Sequence, residues 1–358
     1  MTATTISRTS VLRLALGLSL LVAAALATAP PLDGQEVHRL DGPRVAIYNL
    51  AGRVEVVPGE GPHAVVEIVR GGGDAERLSV ATGRVGDREA LRVIYPDDRV
   101  VYPEMGRSNT TVRVRGDGTF LDGWRGGDEV RISGRGRGME AYADITVRVP
   151  PGFDVAIRLA AGEGRASGLA AALAFKAGSA RVEVSDVNGN VDVDTGSGAV
   201  TVAGVEGDVS ADTGSGSISL EGIYGSRLTA DTGSGRVEGR NLSLGELSVD
   251  TGSGRITMEG LRASRIDCDT GSGAVRLSLL SDVDHMVVDT GSGSVTVDVP
   301  EDFGAALDID SGSGRVVVDV AAHDVTVEKR RSFRGAVGDG DGRVEIDTGS
   351  GGISIRRR

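Results

Sequence analysis

The sequence predicts an all-β chain folded as a parallel β-solenoid, or β-helix, with coils of about 19 residues, and three observations predict it. The pentapeptide Asp-Thr-Gly-Ser-Gly starts at Asp194, Asp212, Asp231, Asp250, Asp269, Asp289 and Asp347, with an Asp-Ser-Gly-Ser-Gly variant at Asp310. Successive starts lie 18, 19, 19, 19, 20, 21 and then 37 residues apart; a fixed period near 19 marks a stacked repeat, and the last interval reads as two periods with one coil degenerate. Around each Asp the side chains alternate. Positions three and one before it are apolar in every copy, as in Val191 and Val193 or Ile266 and Cys268, and so is the position six after it, from Val200 to Ile353. The intervening residues are Thr, Ser, Glu, Asp and Arg, and this period of two belongs to strands with one buried face. Aromatics are only 3% of the chain, so the core must be aliphatic, which suits narrow coils that bury their apolar stripes only by stacking.

Taken in order, residues 1–27 read as a signal peptide. Arg8 and Arg13 precede or open an apolar run through Leu26, and Ala25-Leu26-Ala27 or Ala27-Thr28-Ala29 offers a small-x-small cleavage site, the first favoured because Pro30 disfavours cutting after Ala29. The run is short and rich in small residues for a membrane span, so no stable span is expected after cleavage. Residues 28–44 read as a linker. Residues 45–144 read as an N-terminal β coil or cap: Val45–Asn49 and Gly52–Val57 carry the strand, glycine corner, strand pattern, and a repeat array closes its ends with atypical units. The pattern breaks between about 95 and 142, a Gly/Arg-rich stretch holding Tyr95, Tyr102, Phe120 and Trp124. Such an insertion either folds over the end of the stack to hide edge strands or serves as a recognition loop, in which case these four aromatics are the interaction surface. Residues 145–358 form the repeat domain, with decayed copies at Lys176–Ala180 and Ala161–Gly164 and a polar, Gly-rich bulged-out loop at 329–342. A third apolar position falls eleven residues after the Asp, at Val205, Ile223, Leu242, Leu261 and Leu280. In the corner itself, Gly is expected to supply positive φ and Asp to bond back to the turn amides.

The eight Asp residues form a corner ladder rather than a catalytic set. An aspartic protease loop also reads apolar-apolar-Asp-Thr-Gly, but that chemistry needs two such loops from two lobes sharing one proton, and eight copies about 19 residues apart do not provide it. Carboxylates stacked at about 4.8 Å repel by roughly 0.9 kcal/mol in water and about 3.5 at an effective dielectric near 20; bonds to turn amides and exposure to water relieve this, a hard cation between coils being the alternative. The Gly-Gly-x-Gly-x-Asp calcium repeat is absent, and Thr and Ser beside the Asp are expected to form hydroxyl ladders at the same corner.

Composition narrows the rest. The net charge is −12, from 39 Lys and Arg against 51 Asp and Glu; removing Arg8 and Arg13 with residues 1–27 leaves −14, which excludes a nucleic-acid partner. His38, His63, His285 and His323 lack metal spacing, and no phosphate-loop or nucleophile-elbow sequence occurs. No metal, cofactor or catalytic residue is expected. Cys268, the single cysteine, occupies an inward position and reads as a small core residue.

The lead-in Ile145-Thr146-Val147-Arg148-Val149-Pro150-Pro151-Gly152, followed by serial strand, Gly-Ser-Gly, strand units through Ile355, resembles the bacterial adhesin-labelled domains of unknown function built from β-strand repeats, over roughly Val45 to Arg358. The resemblance implies a β-solenoid in an exported or envelope protein and supplies no catalytic residues. The expected function is a non-enzymatic, adhesin-like binding or structural module of the cell envelope whose partner is an unidentified envelope protein or glycan. The alternatives are a periplasmic scaffold or envelope-stress component, and a carbohydrate-active β-helix enzyme. With no sorting motif and no second hydrophobic segment in the sequence, surface display is expected to need a partner; the location is periplasmic, cell-surface-associated or extracellular.

Overall fold

A computed structural model describes residues 35–123 and 126–358. Residues 1–27, read as a signal peptide, and Trp124 lie outside the described residues. The described body is all-β, and one sheet of 23 strands, most of them paired in parallel, runs through it.

Each regular repeat is one long strand that bends once. In Ile218–Thr232, Val237–Thr251 and Ile256–Thr270 the apolar residues point inward and the polar ones outward, and each strand pairs in parallel with its equivalent in the next repeat, as in Ile218↔Val237↔Ile256 and Asp231↔Asp250↔Asp269. Stacking therefore joins Val193, Ala211, Ala230, Val249, Cys268 and Val288 into one continuous buried column. Each Val so enclosed contributes roughly 1.5–3 kcal/mol, and each Ala about 0.8. The third apolar position holds at Val205, Ile223, Leu242 and Leu261, but in the fifth copy Leu279 rather than Leu280 is buried, because the register slips between Glu259 and Leu261.

Order along the stack departs from order along the chain. The strand His285–Thr290 pairs in parallel with Gly342–Thr348, which in turn pairs with Ala305–Ser311. The last repeat in sequence is thus inserted between the two before it, and the repeat at Asp310 is terminal. The interval of 37 residues is not a degenerate coil. It is an excursion in which Ser332–Val337 runs antiparallel along the outer edge of Ala305–Ser311 and Ala322–Lys329 runs antiparallel along Ser332–Val337. The expected bulged-out loop at 329–342 accordingly contains a capping strand.

The N-terminal end closes in the same manner. Arg44–Pro58 stacks in parallel on Asp154–Ser167, with Val45↔Val155 and Ile47↔Ile157, and carries Arg88–Ile94 and Tyr142–Val149 on its other edge. Antiparallel strands finish that end: Ala64–Gly71 on Tyr142–Val149, Gln35–Leu40 on Ala64–Gly71, and Ser79–Val85 on Arg88–Ile94. Part of the expected linker, Gln35–Leu40, is therefore a strand of the cap.

The insertion at 95–142 makes a separate four-stranded sheet, in spatial order Asn109–Val114, Asp128–Ser133, Arg99–Val101, Met139–Glu140. It lies against the outer face of the first repeats, where Val100, Phe120 and Ile132 pack on Ala46, Tyr48, Ala156 and Ala160. Small outward residues there let a second layer approach. From Asp192 and Ser210 onward the equivalent positions are polar, which is where the cover ends.

Candidate functional surfaces

The corner ladder is built on the residue beside the Asp. Thr195, Thr213, Thr232, Thr251, Thr270, Thr290 and Thr348 are all at most 1% exposed, a high cost for a hydroxyl unless it is hydrogen-bonded. Each is bonded twice. In the middle of the stack the Thr251 hydroxyl donates to the Gly235 carbonyl of the preceding repeat at 3.1 Å and accepts the amide N–H of Gly254 in its own turn at 2.9 Å; Thr270 repeats this with Gly254 and Gly273 at 3.1 and 3.0 Å. Ser311 does the same in the terminal repeat, with Gly351 and Gly314 at 2.9 and 2.8 Å. The threonine hydroxyl, not the Asp carboxylate, takes the turn amide.

The corner glycines are needed for another reason than the expected positive φ, since none of the Gly-Ser-Gly residues lies in the left-handed region. A Cβ on Gly252 would stand 2.5 Å from the Gly233 carbonyl oxygen, and one on Gly254 would overlap the Gly235 carbonyl oxygen outright. Left-handed backbone occurs instead ten residues after the Asp, at Gly204 (φ 63°), Gly222 (60°), Asn241 (54°) and Gly260 (68°). That is where each long strand bends.

The Asp side chains face outward and stack in the order 194, 212, 231, 250, 269, 289, 347, 310. Partial burial, and next the charges of neighbouring Asp residues, push the carboxyls of Asp212, Asp231, Asp269 and Asp347 above the usual range. A cation closes each end: Lys176 Nζ is 3.6 Å from Asp194, and an Arg334 guanidinium nitrogen is 3.3 Å from Asp310. No group of three metal-ligating side chains occurs among the described residues. Burial pushes the Cys268 thiol upward, which keeps it protonated and inert.

Tyr95, Tyr102 and Phe120 of the insertion are not displayed. Tyr102 and Phe120 are buried, and the Tyr95 hydroxyl donates to Asn49 Oδ1 at 2.9 Å. Burial, above all, raises the pKa of both Tyr95 and Tyr102. Phe120 meets Tyr48 edge-on at a centroid distance of 5.9 Å, and Tyr102 meets Tyr142 at 5.3 Å. These side chains fasten the insertion to the stack, so three of the four residues read as an interaction surface form an internal joint. Residues the sequence did not single out complete it: Asp122 accepts from Tyr48 at 2.9 Å and from Arg158 Nε at 3.0 Å, while Asn49, fully buried, donates to the Ala51 and Ala143 carbonyls at 2.9 and 2.7 Å. The available signal was register, because Tyr48, Arg158 and Lys176 occupy the row continued by Asp194.

Residues 141–356, more than half of the chain, match the family model described as Toastrack DUF4097. The chain belongs to the Toastrack DUF4097 family. No curated protein matches it. One solved structure that does is described as a "putative cell adhesion protein" from Clostridium sporogenes ATCC 15579, with 12% identity over 90% of this chain and 99% of that one and a TM-score of 0.19; a superposition at that score bears on neither fold nor function here.

Two open grooves mark the Toastrack stack and its cover. One, of about 400 Å³, runs over the outer face of the middle repeats between Glu238, Arg240, Arg255, Glu259 and Arg276, where Arg240 and Glu259 pair across adjacent repeats at 3.2 Å. The other, of about 470 Å³, lies beside the insertion between Tyr102, Glu104, Ser108, Glu163 and Arg181. Arg53 there bonds both Glu104 oxygens, at 3.1 and 3.0 Å. Both grooves carry charges of both signs, of which Arg240–Glu259 and Arg53–Glu104 are paired. No described helix is long and apolar enough to cross a membrane.

Proposed function

We propose that this chain is an exported β-solenoid that acts without catalysis, as a binding or structural module of the cell envelope. The observation that carries the reading is the corner clamp. The same buried hydroxyl bridge ties each repeat to the preceding one from Thr195 through Ser311, so rigidity is built into the backbone and the outward positions are left free to vary. Thr201, Ser219, Glu238, Thr257, Arg276 and Thr296 differ from one repeat to the next, the arrangement a scaffold uses to present a long surface. The apolar N-terminal run after Arg8 and Arg13 supports export. A periplasmic partner and a surface glycan are both compatible with a net charge of −12.

Fractionation of the native host tests this, with protease shaving of intact cells and mass spectrometry of the released peptides. Peptides from residues 35–358 released from intact cells favour surface binding, and retention in the soluble periplasm favours an internal scaffold. Recovery in the cytoplasm with residues 1–27 still attached would overturn the proposal.

A further inference from the structure

The sheet of the insertion presents an outer face on which arginines gather without carboxylate partners. Arg99 precedes buried Val100, and Arg131 lies between buried Val130 and Ile132, so both charged side chains are exposed on the face turned away from the stack. The register sets Arg99 directly opposite Arg131, and like charges on strands about 4.8 Å apart repel. The stack arranges such pairs otherwise: Arg227 faces Glu246 at 2.8 Å and Arg240 faces Glu259 at 3.2 Å. Arg135 and Arg137 follow in the bend at 134–138, and with Asp98, Glu129 and Ser133 the four arginines line an open groove of about 620 Å³. None of the four guanidinium groups makes an ion pair or hydrogen bond among the described residues, and neither does the Asp98 carboxylate. Glu129 has its own partner in Arg113, at 4.0 Å.

We infer that this groove binds the carboxylates of an acidic polysaccharide, which names the partner class of the exported binding module proposed above and rests on that reading. A guanidinium presents a planar fork of N–H donors that matches the two oxygens of a carboxylate. Arg99 and Arg131, side by side, hold one such group, and Arg135 and Arg137 hold a second. The rest of the groove separates this ligand from a denser polyanion. Asp98 accepts hydrogen bonds that sugar hydroxyls donate, whereas the phosphate backbone of a nucleic acid duplex offers it only further negative charge. The net charge of −12 repels a densely charged polymer or membrane surface at long range. None of the exposed large apolar side chains, such as Val37, Val69 and Tyr224, belongs to the insertion, so nothing beside the groove enters a bilayer. A hydroxyl-rich chain with spaced carboxylates meets all three conditions.

Titration of the purified full-length chain with polygalacturonate tests the inference. Fully methyl-esterified polygalacturonate, phosphatidylglycerol vesicles and duplex DNA are the comparators, and melting temperature is the control for folding. The expected result is binding to polygalacturonate that weakens as salt rises and that the ester lacks. Arg99→Gln/Arg131→Gln should weaken it about tenfold or more at an unchanged or higher melting temperature, since the like-charge pair is relieved. Arg135→Gln/Arg137→Gln, confined to an exposed bend, should weaken it similarly and gives the same test should the strand variant fail to fold. Arg262→Gln/Arg265→Gln removes as much charge from exposed positions of the repeats and should leave binding unchanged. The titration reads the purified chain and the fractionation reads intact cells, so failure of the groove and failure of the export reading are told apart. No binding to polygalacturonate, equal binding to the ester, or tighter binding to vesicles or DNA would overturn the inference. So would a complex indifferent to both groove variants, or an equal loss from all three double variants.

Discussion

The repeats that start at Asp194, Asp212 and Asp250 turn two corners that carry glycine, and the two use it differently. At the Gly-Ser-Gly corner the backbone is ordinary and the space is missing, because the carbonyl oxygen of the preceding repeat occupies the place a Cβ would take. At the second corner no backbone atom stands in the way and the backbone itself is unusual: Gly260 has φ 68°, and the nearest neighbour to an added Cβ is a side-chain oxygen, Asn241 Oδ1, at a tight 3.1 Å. The first corner is thus set by contact between repeats, the second by conformation within one. The difference shows in the sequence as strict repetition at the first and tolerance at the second, where Asp186 and Asn241 replace Gly with φ of 54°.

Gly254→Ala should therefore give the largest effect. It forces two stacked repeats apart at a backbone atom that cannot rotate away, and overpacking of this kind costs about 3 kcal/mol or more. Chemical denaturation of the purified chain measures it, and a loss below about 1 kcal/mol would show that the stack dilates easily. Thr251→Val keeps the shape and deletes the hydroxyl. It strands the Gly235 carbonyl and the Gly254 N–H in a buried site, at about 2 kcal/mol; a neutral outcome would mean that water reaches the corner. Gly260→Ala should cost about 1–2 kcal/mol, the ordinary penalty for left-handed backbone, and Gly260→Asn distinctly less, since Asn already serves at position 241. Equal losses for the two variants would sink the conformational account of this corner.

How much of this was legible depends on the range of the interaction. The parallel repeat, its inward Val and Ile columns and the burial of Cys268 follow from alternation and period alone, which are local patterns. The glycine mechanism was misread because Gly-Ser-Gly is equally suited to positive φ and to close approach, and only the neighbouring strand decides. The swapped order of the last repeats, Asp289 then Asp347 then Asp310, depends on a return of the chain that no period encodes. Two traces of it were nonetheless present: Ser311 in place of Thr, and Val317 at an outward position. The role of the aromatic cluster stayed open between a cover and a recognition loop for a related reason. Tyr95, Tyr102 and Phe120 are grouped by a segment that folds back onto Ala46, Ala156 and Ala160, and those alanines, small residues at outward positions of strands, were the sign of a covered face.

The Asp ladder supplies the smallest effect and the finest test of the corner. Asp231 makes no side-chain hydrogen bond in its turn, since Thr232 takes the Gly235 amide, and its carboxyl is raised by partial burial and then by Asp250. A carboxyl raised in the folded state holds its proton more tightly than in the unfolded chain. The destabilisation is therefore full above the folded pKa and disappears as pH falls below the unfolded value near 3.9. Asp231→Asn should stabilise the chain at neutral pH by about 1 kcal/mol or less, given its exposure. The gain should shrink in high salt and vanish in acid, down to where the chain still folds. Asp194→Asn should gain less or lose, because Lys176 already offsets that charge at 3.6 Å. If Asp231→Asn destabilised at neutral pH while Asp194→Asn did not, the carboxylate rather than the threonine would be holding the corner, and the division between the two corners would have to be redrawn.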